Sequence, residues 1–377
     1  MEQSRAAIDF LKARKTEDSS ERMLVASQWE LMWLHFKRHK LAMVGGVIVL
    51  LLYFMAITHG FLAPYHKLTR TSYINMPPQR IRFRHEGQFS RPFVYGLTVK
   101  KDLATMSRIF EEDTSQPYPV RFFVRGDEWT LGPIRSNSHL FGVDEGAVIV
   151  LMGTDELGRD MFSRILYGSA ISLSIGLLGV ISSFMLGAVL GGISGYFGGT
   201  VDTIIQRVIE FLLSIPTIPL WMALSAAVPV SWPAPRVYFA ITIILSVVGW
   251  CGLARIVRSK LLELREEDFV MAATLSGSNP WQIIFRHLLP SMISYLIVHM
   301  TLAIPGMIIG ETSLSFLGLG LRTPVVSWGV LLEKAQSVGV VNSYPWIMWP
   351  GVFVILTVLS FNFMGDGLRD AADPYVT

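Results

Sequence analysis

Residue types that perform catalysis or bind metals are few and scattered in this sequence. Its eight histidines include no close pair beside cysteines or carboxylates at the spacing of metal ligands. The single cysteine, Cys251, lies inside an apolar run, where we expect a small buried hydrophobic residue, and no second cysteine exists for an internal disulfide. A Gly-x-x-x-x-Gly-Lys-Ser/Thr phosphate-binding loop is absent. We therefore predict no catalytic residues, no metal site and no cofactor, and the chain is not expected to be an enzyme.

Two carboxylates inside apolar runs are the remaining candidates for chemistry. Ionisable groups within a membrane usually face the protein interior or a water-filled path. Glu311, followed by Ser313 and Ser315, is predicted near the outer end of a membrane span. There it either lines the outer gate of a translocation path or makes a structural hydrogen bond to a neighbouring helix. Glu210 lies three residues after Arg207, so the two charges share one helix face and can neutralise each other, and a structural role is expected.

The elements that position these carboxylates are predicted to be membrane spans. Hydrophobic residues make up 51% of the sequence and charged residues only 16%, against about 25% in a soluble domain. Several apolar runs exceed the roughly 18 residues that indicate a bilayer span. Six spans are predicted, at residues 41–63, 170–193, 204–228, 237–257, 291–315 and 344–364. The third run is the least regular, because it contains Arg207, Glu210 and two prolines.

Positive charges near the ends of the runs predict the orientation of the chain. Residues 35–40 are mostly basic and directly precede the first run, which places the N-terminus in the cytosol. Six spans return the C-terminus to the same side. The connection 255–286 then lies in the cytosol, in agreement with its Arg258, Lys260 and Arg265. The first apolar run begins too far along the chain for a cleaved signal peptide, so we expect the first span to remain.

The chain is predicted to divide into five units. They are residues 1–40 (cytosolic tail and helix), 41–63 (first span), 64–152 (extracytoplasmic domain), 153–370 (a core of five further spans) and 371–377 (cytosolic C-terminus). Residues 1–22 are expected to be a mobile tail, and residues 23–36 suit either a helix in the membrane interface or a solvated helix.

The predicted extracytoplasmic domain has a composition of its own. Charges are frequent in it, and short β-like stretches, such as 119–124 and 129–131, are separated by Gly, Pro and Asn. The positive-inside rule permits this location, because long loops are translocated largely regardless of charge.

Glycines recur every four residues in the second run. Gly187, Gly191, Gly195 and Gly199 fall on one stripe of a helix, and such stripes let helix backbones approach closely in lipid. Packing within the chain is the favoured interpretation, ahead of a subunit interface. Gly198 and Gly199 are expected to belong already to the following turn.

The connection between the fourth and fifth runs combines several signals that end or start helices. Residues 264–275 have the pattern of a charged helix, and Gly277 can end it in the left-handed conformation. Asn279 and Pro280 form an N-cap and first-turn pair for a second short helix, 281–288. A helix, a glycine turn and a short helix outside the bilayer predict a compact knob. An ordinary amphipathic loop is the alternative on this pattern alone.

This connection resembles the E-A-A loop of permeases from binding-protein-dependent ABC importers. The matching residues are Met-Ala-Ala at 271–273, Gly277 and the pair Leu289 and Pro290. Met271 stands where the family usually has Glu, and His287 where it usually has Ile. The resemblance implies a coupling loop, residues 258–290, that docks into a cleft of an ATPase subunit. Its expected site residues are Met271, Ala272, Ala273, Gly277, Asn279, Pro280, Leu289 and Pro290.

Three further segments are similar to the C-type subunits of dipeptide and oligopeptide permeases. They are GTDELGRD at 153–160 with Ser-Arg at 163–164, ETSLSFLGLG at 311–320 with Ser-Trp-Gly at 327–329, and GDGLRD at 365–370 with Asp-Pro at 373–374. The resemblance covers the first span and the chain from about residue 150 to its end. The domain at 66–150 is longer than expected in this family, and none of the resembling segments lies in it.

The resemblance implies an all-α protein with six transmembrane helices in the type I ABC importer permease fold, with a small extracytoplasmic insertion. It implies a permease subunit in the bacterial inner membrane, with both termini in the cytoplasm. The expected partners are a second homologous permease, two ATPase subunits, an extracytoplasmic solute-binding protein and membrane lipid, but no nucleic acid.

The cargo of the importer is not fixed by these motifs. Peptide is the expected solute, and oligosaccharide or nickel is the alternative. An ion-driven secondary transporter is the alternative class, but neither inverted repeats nor paired ionisable sites near the midplane support it. The domain at 66–150 is expected to contact the binding protein or to cap the outer mouth.

Overall fold

The membrane part of the chain is helical. The computed structural model describes residues 28–85, 88–101, 108–144 and 147–372. A short helix, α1 (Gln28–Arg38), precedes the first of five helices in this part of the chain that are long and apolar enough to cross a membrane. These are α2 (Lys40–Ile57), α4 (Met161–Phe197), α7 (Ala234–Leu264), α11 (Ile293–Phe316) and α14 (Trp349–Ala372). The predicted tail, residues 1–22, and the pair at 373–374 lie outside the described residues.

The third predicted span forms two helices instead of one. α5 (Gly199–Ser214) and α6 (Thr217–Ala226) meet at an angle of 87°. The break lies at Ile215, whose backbone is extended (φ −91°, ψ 129°) because the following Pro216 disfavours the helical conformation.

The bent pair still crosses the bundle once. Asp202, near the start of α5, contacts Arg258 near the end of α7, with 2.5 Å between Oδ1 and Nε. At the other end, Ser225 of α6 lines a cavity together with Ala234, the first residue of α7. Since α7 is one continuous helix, the two ends of the pair lie at opposite ends of the bundle. The pair therefore supplies the sixth crossing.

The two ends of the described chain meet at one end of the bundle. Met32 and Phe36 of α1 form a buried cluster with Ala42 and Ala371. Because α1 precedes the first span and Ala371 ends the last, the number of crossings is even. This agrees with counting the bent pair as one span.

The glycine stripe of α4 packs against α7. A Cβ atom at Gly187 would lie 2.9 Å from the Cβ of Leu253, and one at Gly191 would lie 2.5 Å from the carbonyl oxygen of Ala254. Gly195 approaches the Arg258 carbonyl in the same way, at 2.8 Å. The predicted packing within the chain is confirmed. Gly198 and Gly199 have φ of +62° and +54° and form the turn into α5, as expected.

The insertion after the first span is a β domain, so the all-α class describes only the membrane part. A short helix, α3 (His59–Leu62), leads towards it. In the described residues β1 (Arg82–His85), β2 (Gln88–Lys101) and β3 (Arg108–Pro119) form one antiparallel sheet, and β4 (Arg121–Leu131) and β5 (Ile134–Gly142) form a hairpin. Isolated β-like stretches were predictable here, but strand pairing depends on distant residues.

The linker before β1 packs on the start of α4. The Thr71 N–H donates to the Gly158 carbonyl at 2.9 Å, and the Met76 N–H donates to Thr154 Oγ1 at 2.8 Å. At the opposite end of the bundle from α1, α12 (Trp328–Leu332) and α13 (Val338–Ser343) connect α11 to α14.

Candidate coupling loop and buried carboxylate

Gly277 ends the first helix of the coupling loop in the left-handed conformation. That helix is α8 (Asp268–Leu275), and Gly277 has φ +83°. The Gly277 N–H donates to the Thr274 carbonyl at 3.0 Å, and the Ser278 N–H donates to the Ala273 carbonyl at 3.1 Å. These two bonds are the Schellman arrangement, which satisfies carbonyls that the helix end leaves unpaired. The predicted conformation of Gly277 is confirmed.

A capping box starts the second helix of the loop. Asn279 Oδ1 accepts from the Gln282 N–H at 2.9 Å, and the Asn279 N–H donates to Gln282 Oε1 at 3.0 Å. Pro280 is the first residue of α9 (Pro280–Gln282), where its missing N–H sacrifices no helical bond. The N-cap and first-turn roles predicted for Asn279 and Pro280 are confirmed.

The helix boundaries of the loop differ from the prediction. α7 runs on to Leu264, so the predicted helix 264–275 is divided and α8 starts only at Asp268. The predicted α-helix 281–288 continues from α9 as a π-helical segment, Ile283–Leu288, followed by α10 (Leu289–Ser291). Pro290 lies in α10, and the chain bends at Met292 before α11.

The inner face of the loop is packed onto the spans. Ala273 of α8 and Ile284 and Leu288 of the π-helical segment are buried in one cluster with Val257 and Leu261 of α7. Leu296 of α11 belongs to the same cluster. Closely packed side chains resist compression. A force applied to this loop is therefore transmitted to both α7 and α11.

The outer face of the loop carries large apolar side chains. The exposed residues are Phe269, Met271, Leu275, Trp281 and Phe285, and Leu275 is 90% exposed. The rings of Trp281 and Phe285 are stacked with centroids 5.9 Å apart. An exposed cluster of this kind marks an interaction surface.

The predicted coupling residues divide between the two faces. Ala273 is buried and belongs to the packed face, whereas Met271, Ala272, Gly277, Asn279 and Pro290 are exposed. Pro280 and Leu289 are half-buried.

Glu311 lies at the centre of a buried hydrogen-bond network. Its Oε2 accepts from Ser172 Oγ of α4 at 3.0 Å, and its Oε1 accepts from Ser315 Oγ at 2.8 Å and Ser327 Oγ at 2.7 Å. Each serine oxygen also accepts a backbone N–H, from Trp328, Leu321 and Val330 respectively. The Glu311 carboxyl group therefore connects α4 and α11 to the segment that leads into α12.

This geometry favours the structural role of the two considered for Glu311. Glu311 and Ser315 are completely buried inside the chain, and Ser313 is half-buried. Glu311 and Ser315 therefore line no open path among the described residues. Ser172 and Ser327 complete the network. Ser172 lies in an apolar run and Ser327 begins the Ser-Trp-Gly segment, but neither was predicted to bind Glu311. Glu210 pairs with Arg207 at 2.7 Å on the surface, as expected.

Comparison with known proteins identifies the family. The family model described as "binding-protein-dependent transport system inner membrane component" matches residues 187–377. Residues 27–78 match the N-terminal transmembrane domain of oligopeptide transport permease C. The chain is 32% identical over 345 residues to the dipeptide transport system permease protein DppC of Bacillus subtilis, covering 91% of this chain and 84% of that protein.

The chain belongs to this family of ABC importer permeases. It is a transport subunit with several membrane spans and not an enzyme, and permeases of this family work with ATPase subunits and a binding protein. The permease is also 37% identical over 265 residues to the oligopeptide transport system permease protein OppC of Haemophilus influenzae, covering 69% of this chain and 79% of that protein. Among solved structures, an inward-facing MetNI methionine ABC transporter matches with a TM-score of 0.42 and 18% identity, over 56% of this chain and 97% of that one.

The GTDELGRD segment of the permease forms a buried ionic cluster at the start of α4. Asp155 accepts from Arg159 Nε at 2.7 Å and also from Arg164 Nη1. Asp160 caps α4 by accepting from the Ser163 N–H at 2.7 Å, and burial raises the pKa of its carboxyl to about 6. The cluster lies where the segment before α4 packs against the linker that precedes β1.

Proposed function

We propose that the permease carries peptides and that its coupling loop, residues 258–290, docks onto an ATPase subunit. Relatives named for dipeptide and oligopeptide transport support the cargo. The exposed apolar face of the loop, which includes Leu275 and Trp281, carries the docking proposal. Burying such a face against a partner releases about 25 cal/mol for each Å² of apolar surface.

The same geometry supports a mechanism for energy coupling. ATP-driven closure of two ATPase subunits moves the loop, and the buried cluster under it moves the inner ends of α7 and α11 together. The spans of this permease and of a second homologous permease then alternate between inward and outward access. A solute-binding protein delivers the peptide on the side opposite the loop.

The charge distribution supports a cytosolic location for the loop. Arg258, Lys260 and Arg265 lie at its start, and Lys37 and Arg38 of α1 lie at the same end of the bundle. Excess Lys and Arg in short connections mark the cytosolic side of inner-membrane proteins. Both termini are proposed to be cytosolic for this reason.

Replacing Gly277 tests the docking proposal. A Cβ atom at Gly277 would meet no other atom within 4 Å, so substitutions act through the φ of +83° and through the new side chain. In Gly277→Arg, the left-handed backbone is disfavoured by roughly 1–2 kcal/mol and a long cation enters the apolar face. We expect normal abundance in the membrane, at least a tenfold loss of co-purifying ATPase, and no uptake of a labelled dipeptide.

Gly277→Asn is the matched control, because Asn tolerates the left-handed conformation and adds no charge. It should retain most ATPase association and uptake. Full association and transport in the arginine variant would show that the loop is not the coupling element. A wild-type importer that binds its ATPase but takes up neither a dipeptide nor an oligopeptide would contradict the cargo alone.

A further inference from the structure

Two adjacent phenylalanines of β4 are exposed in an unusual backbone conformation. Phe122 and Phe123 are 62% and 70% exposed, and Phe123 has φ +56°. A bulky side chain rarely adopts this left-handed conformation. Neighbouring residues of a regular strand point to opposite faces, so one of them would normally face the hairpin's inner side. The left-handed residue interrupts this alternation.

The ring of Phe123 packs beside α3, the short helix that follows the first span. Its centroid is 6.1 Å from that of Phe61 in α3. Phe61 follows Ile57, the last residue of α2, by four positions, which corresponds to about 6 Å of helix. The interfacial layer between hydrocarbon and water is about 5–8 Å thick on each side of a bilayer. By this measure Phe61 falls within this layer, and the Phe123 ring lies beside it.

The β4–β5 hairpin is held rigidly at this height. The Trp129 side chain packs against α3 so closely that a Cβ atom at Gly60 would lie 2.8 Å from it. The buried His139 ring places Nδ1 2.5 Å from the Ala63 carbonyl oxygen and Nε2 2.9 Å from that of Asp127. The Asp127 carboxylate accepts from the His66 N–H at 2.8 Å. These contacts fasten the hairpin to the segment that follows the first span. The hairpin and this segment are therefore expected to move together.

We propose that Phe122 and Phe123 insert into the lipid headgroup layer and anchor the β domain to the membrane surface. Phe123 contacts Phe61, which lies just beyond the end of a membrane span. We therefore favour lipid, and not a protein partner, as the surface that covers the two phenylalanines. Apolar aromatic side chains at this depth gain by leaving water. Anchoring holds the inserted domain at a fixed height beside the outer ends of the spans.

Depth-dependent quenching tests this proposal in the assembled importer in nanodiscs. A cysteine at Phe123 in a Cys251→Ala background carries an environment-sensitive fluorophore, and the lipid carries a nitroxide in its headgroup. The reference position is Glu111 of β3, which forms an exposed ion pair at 2.5 Å with Lys100 of β2. We expect at least threefold stronger quenching at position 123 than at position 111.

A second variant separates anchoring from folding. Phe123→Gly removes the ring but suits the left-handed backbone, so the domain should fold at least as well. In this background a fluorophore at Phe122→Cys should lose at least half of its lipid quenching. Equal quenching at positions 123 and 111 would overturn the proposal. So would a label at 123 that is shielded from both the nitroxide lipid and a water-soluble quencher, because a protein partner would then cover it.

Discussion

Glu311 shows how one carboxyl group can organise three segments of a membrane protein. Its three serine partners lie on α4, on α11 and at the start of α12, and each serine oxygen receives a backbone N–H that its turn or helix start leaves unpaired. In lipid, an unsatisfied backbone group costs several kcal/mol. The carboxyl group orients all three hydroxyls, so their oxygen lone pairs remain available to the backbone.

Two substitutions of Glu311 distinguish the contribution of its hydrogen bonds to stability from that of its charge. In Glu311→Leu the three hydroxyls lose their acceptor, and at about 0.6–1.7 kcal/mol for each bond we expect a loss of roughly 2–5 kcal/mol in stability. Glu311→Gln keeps one oxygen towards Ser315 and Ser327 and turns its amide N–H towards Ser172, whose oxygen has a second lone pair. The thermal stability of the purified permease should fall strongly in the leucine variant and little in the glutamine variant. Equal stability of the two variants would contradict the network.

At the scale of elements, the close packing of α4 against α7 requires glycine at the contact positions of α4. A Cβ atom at Gly191 would lie 2.5 Å from the Ala254 carbonyl oxygen and 2.9 Å from its Cα, and both belong to backbone that cannot move locally. Gly191→Ala should therefore push the helices apart and lower stability by about 1–3 kcal/mol. Gly252 of α7 is the matched control, since a Cβ atom there meets nothing within 4 Å.

The control substitution Gly252→Ala should be neutral or stabilising by about 0.5–1 kcal/mol, because alanine loses less backbone entropy in a helix. The measurement is membrane abundance together with thermal unfolding in detergent. A Gly191→Ala variant as stable as Gly252→Ala would mean that the two backbones are not in close contact.

Elements with local signals were predictable from the sequence, whereas long-range arrangements were not. The turn at Gly277 and the cap at Asn279 are specified within a few residues, and apolar runs mark the spans. Pro216 indicated an irregularity, but an 87° bend depends on what packs around it. Ser172 lies 139 positions before Glu311, so no local pattern could choose between a gate and a structural hydrogen bond.

At the scale of the whole molecule, α11 joins the two specialised ends of the permease. Leu296 near its start is packed under the coupling loop, and Glu311 near its end holds the network with Ser172 and Ser327. Its 24 residues span about 36 Å, slightly more than the hydrocarbon core of a bilayer. In the proposed mechanism, α11 carries a movement of the coupling loop to the other end of the bundle.

This arrangement requires the coupling loop and the β domain to face opposite compartments, and cysteine labelling checks that requirement. Glu128 of β4 and Ser276, at the end of α8, are exposed and suit a probe. In a Cys251→Ala background, Glu128→Cys should react with an impermeant maleimide added to intact cells. Ser276→Cys should react only after permeabilisation, because Arg258, Lys260 and Arg265 retain its segment in the cytosol. Labelling of both positions in intact cells would contradict the six crossings, and the reverse pattern would place the coupling loop out of reach of an ATPase.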